Sequence, residues 1–278
     1  MAEHDHDDFG GLHRDLQATG AAIDRRGLLR LAARLGAGMG AFNLIGCGSG
    51  AGSPVSPSTT PGTQAPTTGT GACSRTPEET AGPFPADGSN GPTVLSASGV
   101  VRSDIRASFA GLSGAADGVP LTIELTVVSA STCAPLAGRA VYLWHCDRLG
   151  RSSLYNSGAT NQNYLRGVQQ ADAGGRVAFT SIYPGCYAGR WPHIHFEIYP
   201  SLATATSGAN RSATSQIALP KTANDLVYAT AGYEASVANQ ARVSLASDGV
   251  FSDGSSLELA TVSGSASAGL TAALTVAV

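Results

Sequence analysis

The sequence predicts an all-β domain built as an antiparallel β-sandwich. Short segments of alternating apolar and polar residues recur from about residue 76 onward, and such alternation is the pattern of half-buried strands. Turn-forming residues separate the segments, since the chain contains 35 glycines and 14 prolines. No convincing amphipathic helix interrupts them. Many short strands joined by Gly and Pro turns are typical of a sandwich or a barrel.

The predicted strands are PLTIELTVVSA (120–130), RAVYLWHCD (139–147), GRVAFTSIYPG (175–185), WPHIHFEIYP (191–200) and LTAALTVAV (270–278). Successive side chains of a strand point to opposite sides. Leu121, Ile123 and Leu125 therefore share one face of the first strand. Val141 and Leu143 likewise share one face of the second. These faces are the predicted core.

Residues 1–47 have the features of an export signal. The segment DRRGLLR (24–30) has paired arginines followed by leucines, as in a twin-arginine signal. A Gly- and Ala-rich apolar stretch follows at 35–45, within the usual length of a signal-peptide core. LIGC (44–47) is similar to a lipobox, in which Cys47 would be lipidated. We expect an extracytoplasmic protein that is anchored to the cell envelope through Cys47.

Residues 48–75 predict a flexible linker, and residues 76–278 the folded domain. The linker is rich in Ser, Thr, Pro and Gly, and it has too little apolar surface to offset the entropy of ordering. The net charge of −3 gives no basic field, so a nucleic-acid partner is not expected.

Cys73, Cys133, Cys146 and Cys186 remain after Cys47 is assigned to lipid. Disulfides persist outside the cytoplasm, and four cysteines allow three pairings among which the sequence does not choose. No CxxC pair occurs among them, so a zinc ribbon is not supported.

The segment GRWPHIHFEIYP (189–200) places two histidines on one strand face. His193 and His195 are two residues apart, so their imidazoles project together and can bind one metal ion. Tyr187 precedes them by six residues, and the Pro184-Gly185 turn would bring it back beside the strand. Phenolate is a hard oxygen donor whose proton a strongly acidic cation can displace. Tyrosine with two histidines suits Fe(III) better than zinc.

These residues resemble those of the intradiol ring-cleavage dioxygenases of the catechol and protocatechuate type. The resemblance runs from about Thr76 to the end of the chain. The stretches that carry it are TPEETAGPFP (76–85), GVVRSDIRASFAG (99–111), the strands of 118–150, the segment 163–200, and TSQIALP (214–220). As a set they are far more specific than the two histidines alone. Export and lipidation would place the chain in a lipoprotein subgroup of that family.

The resemblance implies a β-sandwich and a non-haem Fe(III) cofactor held by two tyrosines and two histidines. It implies cleavage of a catechol-type ring between its two hydroxylated carbons with O2. His193, His195 and Tyr187 match three of the ligands. Arg190 matches an arginine that stabilises charge during the reaction, and Gln216 matches a glutamine near the substrate.

The second tyrosine ligand of the family has no direct counterpart. The segment GRSSLY (150–155) has Ser152 at the expected position, and Tyr155 lies three residues further on. Tyr155 could serve as the ligand instead, serine or water could fill the position, or iron could bind poorly. The last outcome leads to an alternative function, a non-catalytic surface binding protein on the same fold. The ring substituents and the oligomeric state stay open.

Overall fold

The structure is a computed structural model, and it describes residues 73–278. The predicted twin-arginine signal, the lipobox with Cys47 and residues 48–72 of the predicted linker lie outside the described residues. Contacts of the domain begin at Cys73, which forms a disulfide with Cys133 and donates its backbone N–H to the carbonyl of Ala130. This bond selects one of the pairings left open by the sequence, while Cys146 and Cys186 are free and buried.

The described residues form eight strands, arranged in two sheets, and two α-helices. The strands are β1 (Pro120–Val128), β2 (Ala140–Trp144), β3 (Arg166–Gln170), β4 (Arg176–Ile182), β5 (His193–Tyr199), β6 (Ala213–Ala218), β7 (Thr261–Ser265) and β8 (Gly269–Ala277). Helices α1 (Lys221–Tyr228) and α2 (Glu234–Gln240) lie between β6 and β7, and short 3-10 helices span Leu202–Thr204, Gly208–Asn210 and Phe251–Asp253. No described helix is both long and apolar enough to cross a membrane.

The strand order is β4-β1-β8-β7 in the first sheet and β3-β2-β5-β6 in the second. The second sheet is antiparallel throughout. In the first sheet, β1 and β8 are parallel, with Leu121 opposite Leu270. The predicted purely antiparallel arrangement is therefore wrong for this pair. A parallel pair needs a long crossover connection, and here the whole second sheet and both helices lie between the two strands in sequence.

Side chains from both sheets form one hydrophobic core. Ile123 and Phe179 contribute from the first sheet, and Leu143, Ile194 and Phe196 contribute from the second; each of these side chains is fully buried. The alternation predicted for β1 is confirmed by its burial pattern. All of β2 is buried, and its predicted inward face is confirmed because Val141 and Leu143 lie in this core. Burial of such side chains contributes about 1.5–3 kcal/mol each.

The two helices correct the expectation that the chain contains none. Helix α1 buries Ala223 and Val227, which are four residues apart, on the side that joins the core. With eight and seven residues, the helices make about two turns each, too few to give a clear periodic signal in the sequence. Isolated helices of this length are marginal in water, so tertiary packing stabilises them.

The outer face of the second sheet is also covered. Tyr142 and Tyr199 on this face join Leu95 and Val100 in a second buried cluster, so the segment before β1 packs against the sheet. All seven residues of β5 are consequently buried. A strand that is buried on both faces can carry polar side chains in a dry environment, and β5 does so with its two histidines.

Candidate metal centre

The imidazoles of His193 and His195 converge on one point. They lie on the same face of β5, and their Nε2 atoms are 3.1 Å apart. The rings stand nearly perpendicular, at 79°, and only 5% and 7% of the two residues is exposed. Two donors that are each about 2.1 Å from a shared ion and at right angles to each other lie about 3.0 Å apart. The observed spacing therefore fits joint coordination of one metal.

Neighbouring groups fix the orientation of both rings. The Nδ1 of His193 is 2.5 Å from the carbonyl oxygen of Trp191, an acceptor that favours the proton on Nδ1 and leaves a lone pair on Nε2. The ring of His195 stacks on Trp144 at 5° and 5.0 Å. Burial, followed by the charge of Arg190, lowers the pKa of His193 well below its ordinary value. Burial and the neighbouring His193 do the same to the pKa of His195, so both rings are neutral donors.

Tyr187 supplies an oxygen beside the histidines. Its hydroxyl lies 3.1 Å from the Nε2 of His193. The predicted turn before it depends on Gly185, where a Cβ would lie 2.5 Å from the carbonyl oxygen of Arg148. Helix α2 holds the same segment, since Ser236 accepts the N–H of Cys186 at 2.9 Å and Asn239 donates to the carbonyl of Cys186 at 2.8 Å.

The donor set is two imidazoles and one phenol. Between residues 73 and 278, no group of three or more His, Cys, Asp or Glu side chains is placed to hold a metal ion. The Tyr187 hydroxyl, 3.1 Å from the Nε2 of His193, is the candidate for a third protein donor. A hard cation favours such an oxygen and displaces its proton on binding. These residues fit a non-haem Fe(III) better than zinc.

Arg190 and Gln216 lie beside this group of donors. Both residues are fully buried. The Nη1 of Arg190 is 3.5 Å from the Nε2 of His193, and its Nη2 donates to Oε1 of Gln216 at 2.7 Å. Gln216 donates from Nε2 to the carbonyl of Thr80 at 2.8 Å. The structure thus brings Arg190, Gln216, Tyr187 and the two histidines together.

The structure does not bring Tyr155 to the histidines. Its hydroxyl accepts a hydrogen bond from the N–H of Ala86 at 2.8 Å and donates to Oδ1 of Asn90 at 3.0 Å. Its ring packs against Phe84, with centroids 5.1 Å apart. Of the two candidates for the missing ligand position, Ser152 rather than Tyr155 lines the cavity beside the histidines.

That cavity has a volume of about 10 Å³, which is roughly the space of one water molecule. Its walls are formed by Pro83, Phe84, Trp144, His145, Cys146, Ser152, Tyr187, His193 and His195. A catechol ring is far larger than one water. Admission of such a ring requires a wall residue to move.

Two polar wall residues are engaged elsewhere. His145 bonds to Ser181 Oγ and to the carbonyl of Cys146, both at 2.7 Å, and burial lowers its pKa to about 4. Burial raises the pKa of Cys146, and it raises that of Cys186 to about 12, so both thiols stay protonated. A neutral thiol is a poor metal ligand.

Arg166 braces the two loops that enclose the cavity. It donates to the carbonyl of Pro85 at 3.0 Å and to the carbonyl of Ser153 at 2.9 Å.

Sequence reasoning missed Asp248. Its Oδ2 accepts a hydrogen bond from the Nε of Arg190 at 3.0 Å. A single aspartate in the stretch ASDGV reads as a turn residue, and no local pattern links it to a residue 58 positions earlier.

Residues 94–213 match a protein family described as Dioxygenase. Among solved structures, an intradiol ring-cleavage dioxygenase from Tetranychus urticae is 24% identical, with a TM-score of 0.58 over 74% of this chain and 94% of that one. The dioxygenase domain of a carbohydrate-binding fusion from Streptomyces sp. SirexAA-E is 21% identical, with a TM-score of 0.45 over 73% of this chain and 97% of that one. A 3-chlorocatechol 1,2-dioxygenase from Rhodococcus opacus 1CP is 16% identical, with a TM-score of 0.45 over 73% of this chain and 72% of that one. No curated protein sequence matches.

The matched segment contains Tyr187, Arg190 and both histidines of β5. The similarity to the Tetranychus urticae protein shows that the fold is shared. The chain therefore matches a dioxygenase family model over residues 94–213 and shares the fold of an intradiol ring-cleavage dioxygenase.

Proposed function

We propose that this protein is a non-haem Fe(III) intradiol dioxygenase with the β-sandwich of its family. Its reaction is the cleavage of a catechol-type ring between the two hydroxylated carbons, with both atoms of O2 entering a muconate-type diacid. The observation that carries the proposal is the convergence of two neutral imidazole nitrogens and the Tyr187 hydroxyl at separations of 3.1 Å.

Tyr187, His193 and His195 would hold the iron. Bound Fe(III) supplies an electron-poor centre that makes a catecholate ring reactive toward O2. Trp191 and Trp144 keep the two imidazoles in place by the contacts described above. The covered face of β5 excludes bulk water, which strengthens electrostatic interactions inside the site.

Arg190 would stabilise negative charge that develops on the reacting substrate. It is fully buried, so its charge is little screened, and its Nη1 edge faces the histidine pair. Gln216 holds the guanidinium through its side-chain oxygen. Gln216 would therefore orient Arg190, and it would also lie near the bound substrate.

Ser152 in place of a tyrosine changes the handling of protons. A serine hydroxyl lines the cavity but is a weaker proton acceptor than a tyrosinate. One proton acceptor of the family is thus missing, and loss of a general base commonly costs about 100- to 10,000-fold in rate. We expect a slow enzyme whose iron has three protein ligands. The proton that the substrate loses would go to solvent rather than to a tyrosinate.

We also propose export by the twin-arginine route and anchoring through Cys47. The order of arginine pair, apolar stretch and lipobox supports this proposal. The disulfide between Cys73 and Cys133 supports it as well, because such bonds persist in oxidising compartments.

The test is to load the protein with iron, record its visible spectrum and follow O2 consumption with catechol, protocatechuate and hydroxyquinol. We expect a tyrosinate-to-iron charge-transfer band and slow turnover with at least one substrate. Tyr187→Phe should abolish both. An iron-replete protein that is colourless and inert to all three substrates would overturn the proposal.

A second candidate is a surface binding protein without catalysis on the same fold. Ser152 at the ligand position favours it, because one metal ligand of the family is then missing. This alternative predicts binding of a catechol that survives Tyr187→Phe, with no consumption of O2. Calorimetric titration of the wild type and of Tyr187→Phe with catechol under nitrogen separates the two functions.

A further inference from the structure

Asp248 is a fully buried carboxylate that lies outside the segment matched by the family. Its Oδ2 accepts from the Nε of Arg190 at 3.0 Å and from the N–H of Trp191 at 2.6 Å. Its Oδ1 accepts from the N–H groups of Val250 at 2.8 Å and Phe251 at 3.3 Å. A carboxylate offers about four acceptor positions, and here all are used.

These contacts determine where the guanidinium of Arg190 points. The group is a rigid planar fork. One edge is fixed by Asp248 through Nε, and another by Gln216 through Nη2. Two fixed edges define the plane, and the remaining Nη1 then lies 3.5 Å from the Nε2 of His193. Loss of Asp248 would remove the hydrogen bond to Nε, which is one of the contacts that fix this edge.

The same carboxylate also holds the peptide that orients a histidine. Asp248 binds the N–H of Trp191, and the carbonyl of Trp191 faces Nδ1 of His193. One side chain from the segment between α2 and β7 thus reaches both the arginine and the backbone next to the strand of the ligands. The short 3-10 helix that begins at Phe251 anchors it from the other side.

We propose that Asp248 is a positioning residue of this site: it aims Arg190 at the metal centre and compensates its buried charge. The proposal rests on the dioxygenase function proposed above. Asp248 does not touch the cavity, so it acts through Arg190. Removal of one partner of a buried ion pair leaves an uncompensated charge, and loss of such supporting contacts commonly lowers activity by about 10- to 100-fold.

The informative variant is Asp248→Ser. Serine is a favourable capping residue, so its hydroxyl can still accept from the N–H groups of Val250 and Phe251. It lacks the second oxygen, which binds Arg190 in the wild type. The matched control is Asp172→Ser in the turn between β3 and β4. Asp172 accepts N–H bonds from Gly174 at 2.8 Å and Arg176 at 2.9 Å but contacts nothing in the site.

In the iron-loaded enzyme, we expect Asp248→Ser to lower kcat for catechol by about 10- to 100-fold with little change in KM, because charge stabilisation is lost mainly in the transition state. Iron content and the charge-transfer band should stay at wild-type values, because the pairing of β5 with β2 and β6 still holds both histidines. Asp172→Ser should remain within about twofold of the wild type. In an Arg190→Gln background, Asp248→Ser should cause no further loss of kcat.

The second readout needs no iron and no activity. A double-mutant cycle compares the urea midpoints of four iron-free proteins: the wild type, Asp248→Ser, Arg190→Gln and the double variant. If the two residues act as a pair, the downward shift caused by Asp248→Ser shrinks or reverses once Arg190 is gone, because the aspartate is then itself an unpaired buried charge.

Wild-type kcat and KM in Asp248→Ser, independent losses in the double variant, or loss of iron from Asp248→Ser would each overturn the positioning role while leaving the dioxygenase function in place. A wild-type protein that is inert to catechols overturns the dioxygenase function instead. In that case the urea cycle decides whether Asp248 positions Arg190, and additive midpoint shifts overturn the pairing.

Discussion

The hydroxyl of Tyr155 binds the backbone N–H of Ala86 at a distance of 2.8 Å, and this contact keeps the tyrosine in the second hydrophobic cluster, away from the histidines. Ala86 is fully buried, so its N–H has no access to solvent. Tyr155 therefore has a structural role that competes with metal binding.

Tyr155→Phe should leave the iron band unchanged and lower the free energy of unfolding by about 1–3 kcal/mol, the cost of an unsatisfied buried donor. Visible spectra and urea denaturation measure the two effects. Tyr187→Phe serves as the contrast, since it should remove the band. A band that shifts in Tyr155→Phe would mean that this tyrosine reaches the iron after all.

Gly185→Ala should disturb the metal centre from a distance. The added methyl would lie 2.5 Å from the carbonyl oxygen of Arg148, so the segment leading to Tyr187 must move. Overpacking of this kind costs about 1–3 kcal/mol. We expect a weaker charge-transfer band and a lower urea midpoint. Gly174→Ala is the control, because its methyl would meet no backbone atom, only the side chains of Asp172 at 3.3 Å and Arg176 at 3.9 Å. A band of wild-type strength in Gly185→Ala contradicts the prediction.

Phe84→Ala should ease the entry of substrate. Phe84 lines a cavity of about 10 Å³ and packs on Tyr155, and separation of an aromatic pair costs about 1 kcal/mol. Removal of this cost should lower KM for catechol about fivefold. Phe109→Ala is the control, since Phe109 packs against the same cluster but does not line the cavity. An unchanged or higher KM in Phe84→Ala would show that Phe84 is a fixed wall.

The stabilising contribution of Glu197 and Glu258 should fall as the pH rises from about 4.5 to about 8. Burial raises the pKa of Glu197 and of Glu258 from 4.5 to about 8. A raised carboxyl pKa means that the folded state binds more protons than the unfolded state, so stability is greatest below about 4.5 and is lost through about 8. Urea unfolding at pH 5.5 and pH 8.5 measures the difference.

Glu258→Gln should flatten this pH profile, because the amide does not titrate. Glu124→Gln on the exposed face of β1 should leave the profile as it is. A Glu258→Gln variant whose midpoints change between the two pH values by as much as those of the wild type would contradict the assigned direction.

Local patterns in the sequence predicted five of the eight described strands (β1, β2, β4, β5 and β8) and the proximity of three residues of the candidate metal centre, but not β3, β6 or β7. Alternation placed His193 and His195 on one face of β5, and the Pro184-Gly185 turn placed Tyr187 beside them, because both relationships span only a few residues. The inward faces of β1 and β2 followed from the same rule.

Long-range relationships were not predictable in this way. The pairing of β1 with β8 is parallel because of the path of the chain between them, which no local pattern encodes. The contact of Asp248 with Arg190 and the bond between Cys73 and Cys133 join residues 58 and 60 positions apart. Helix α2 is too short to give a periodic pattern in the sequence, yet it holds the segment that leads to Tyr187.

The parallel pairing of β1 with β8 has a consequence for the order of folding events. Residue 121 pairs with residue 270, and Thr76 exchanges hydrogen bonds with Ala277 at 3.0 Å in both directions. The first sheet cannot close until the last strand has left the ribosome. Sheets with such distant pairings fold slowly, in milliseconds to seconds. We therefore expect the domain to acquire its native structure only after residue 277 has left the ribosome.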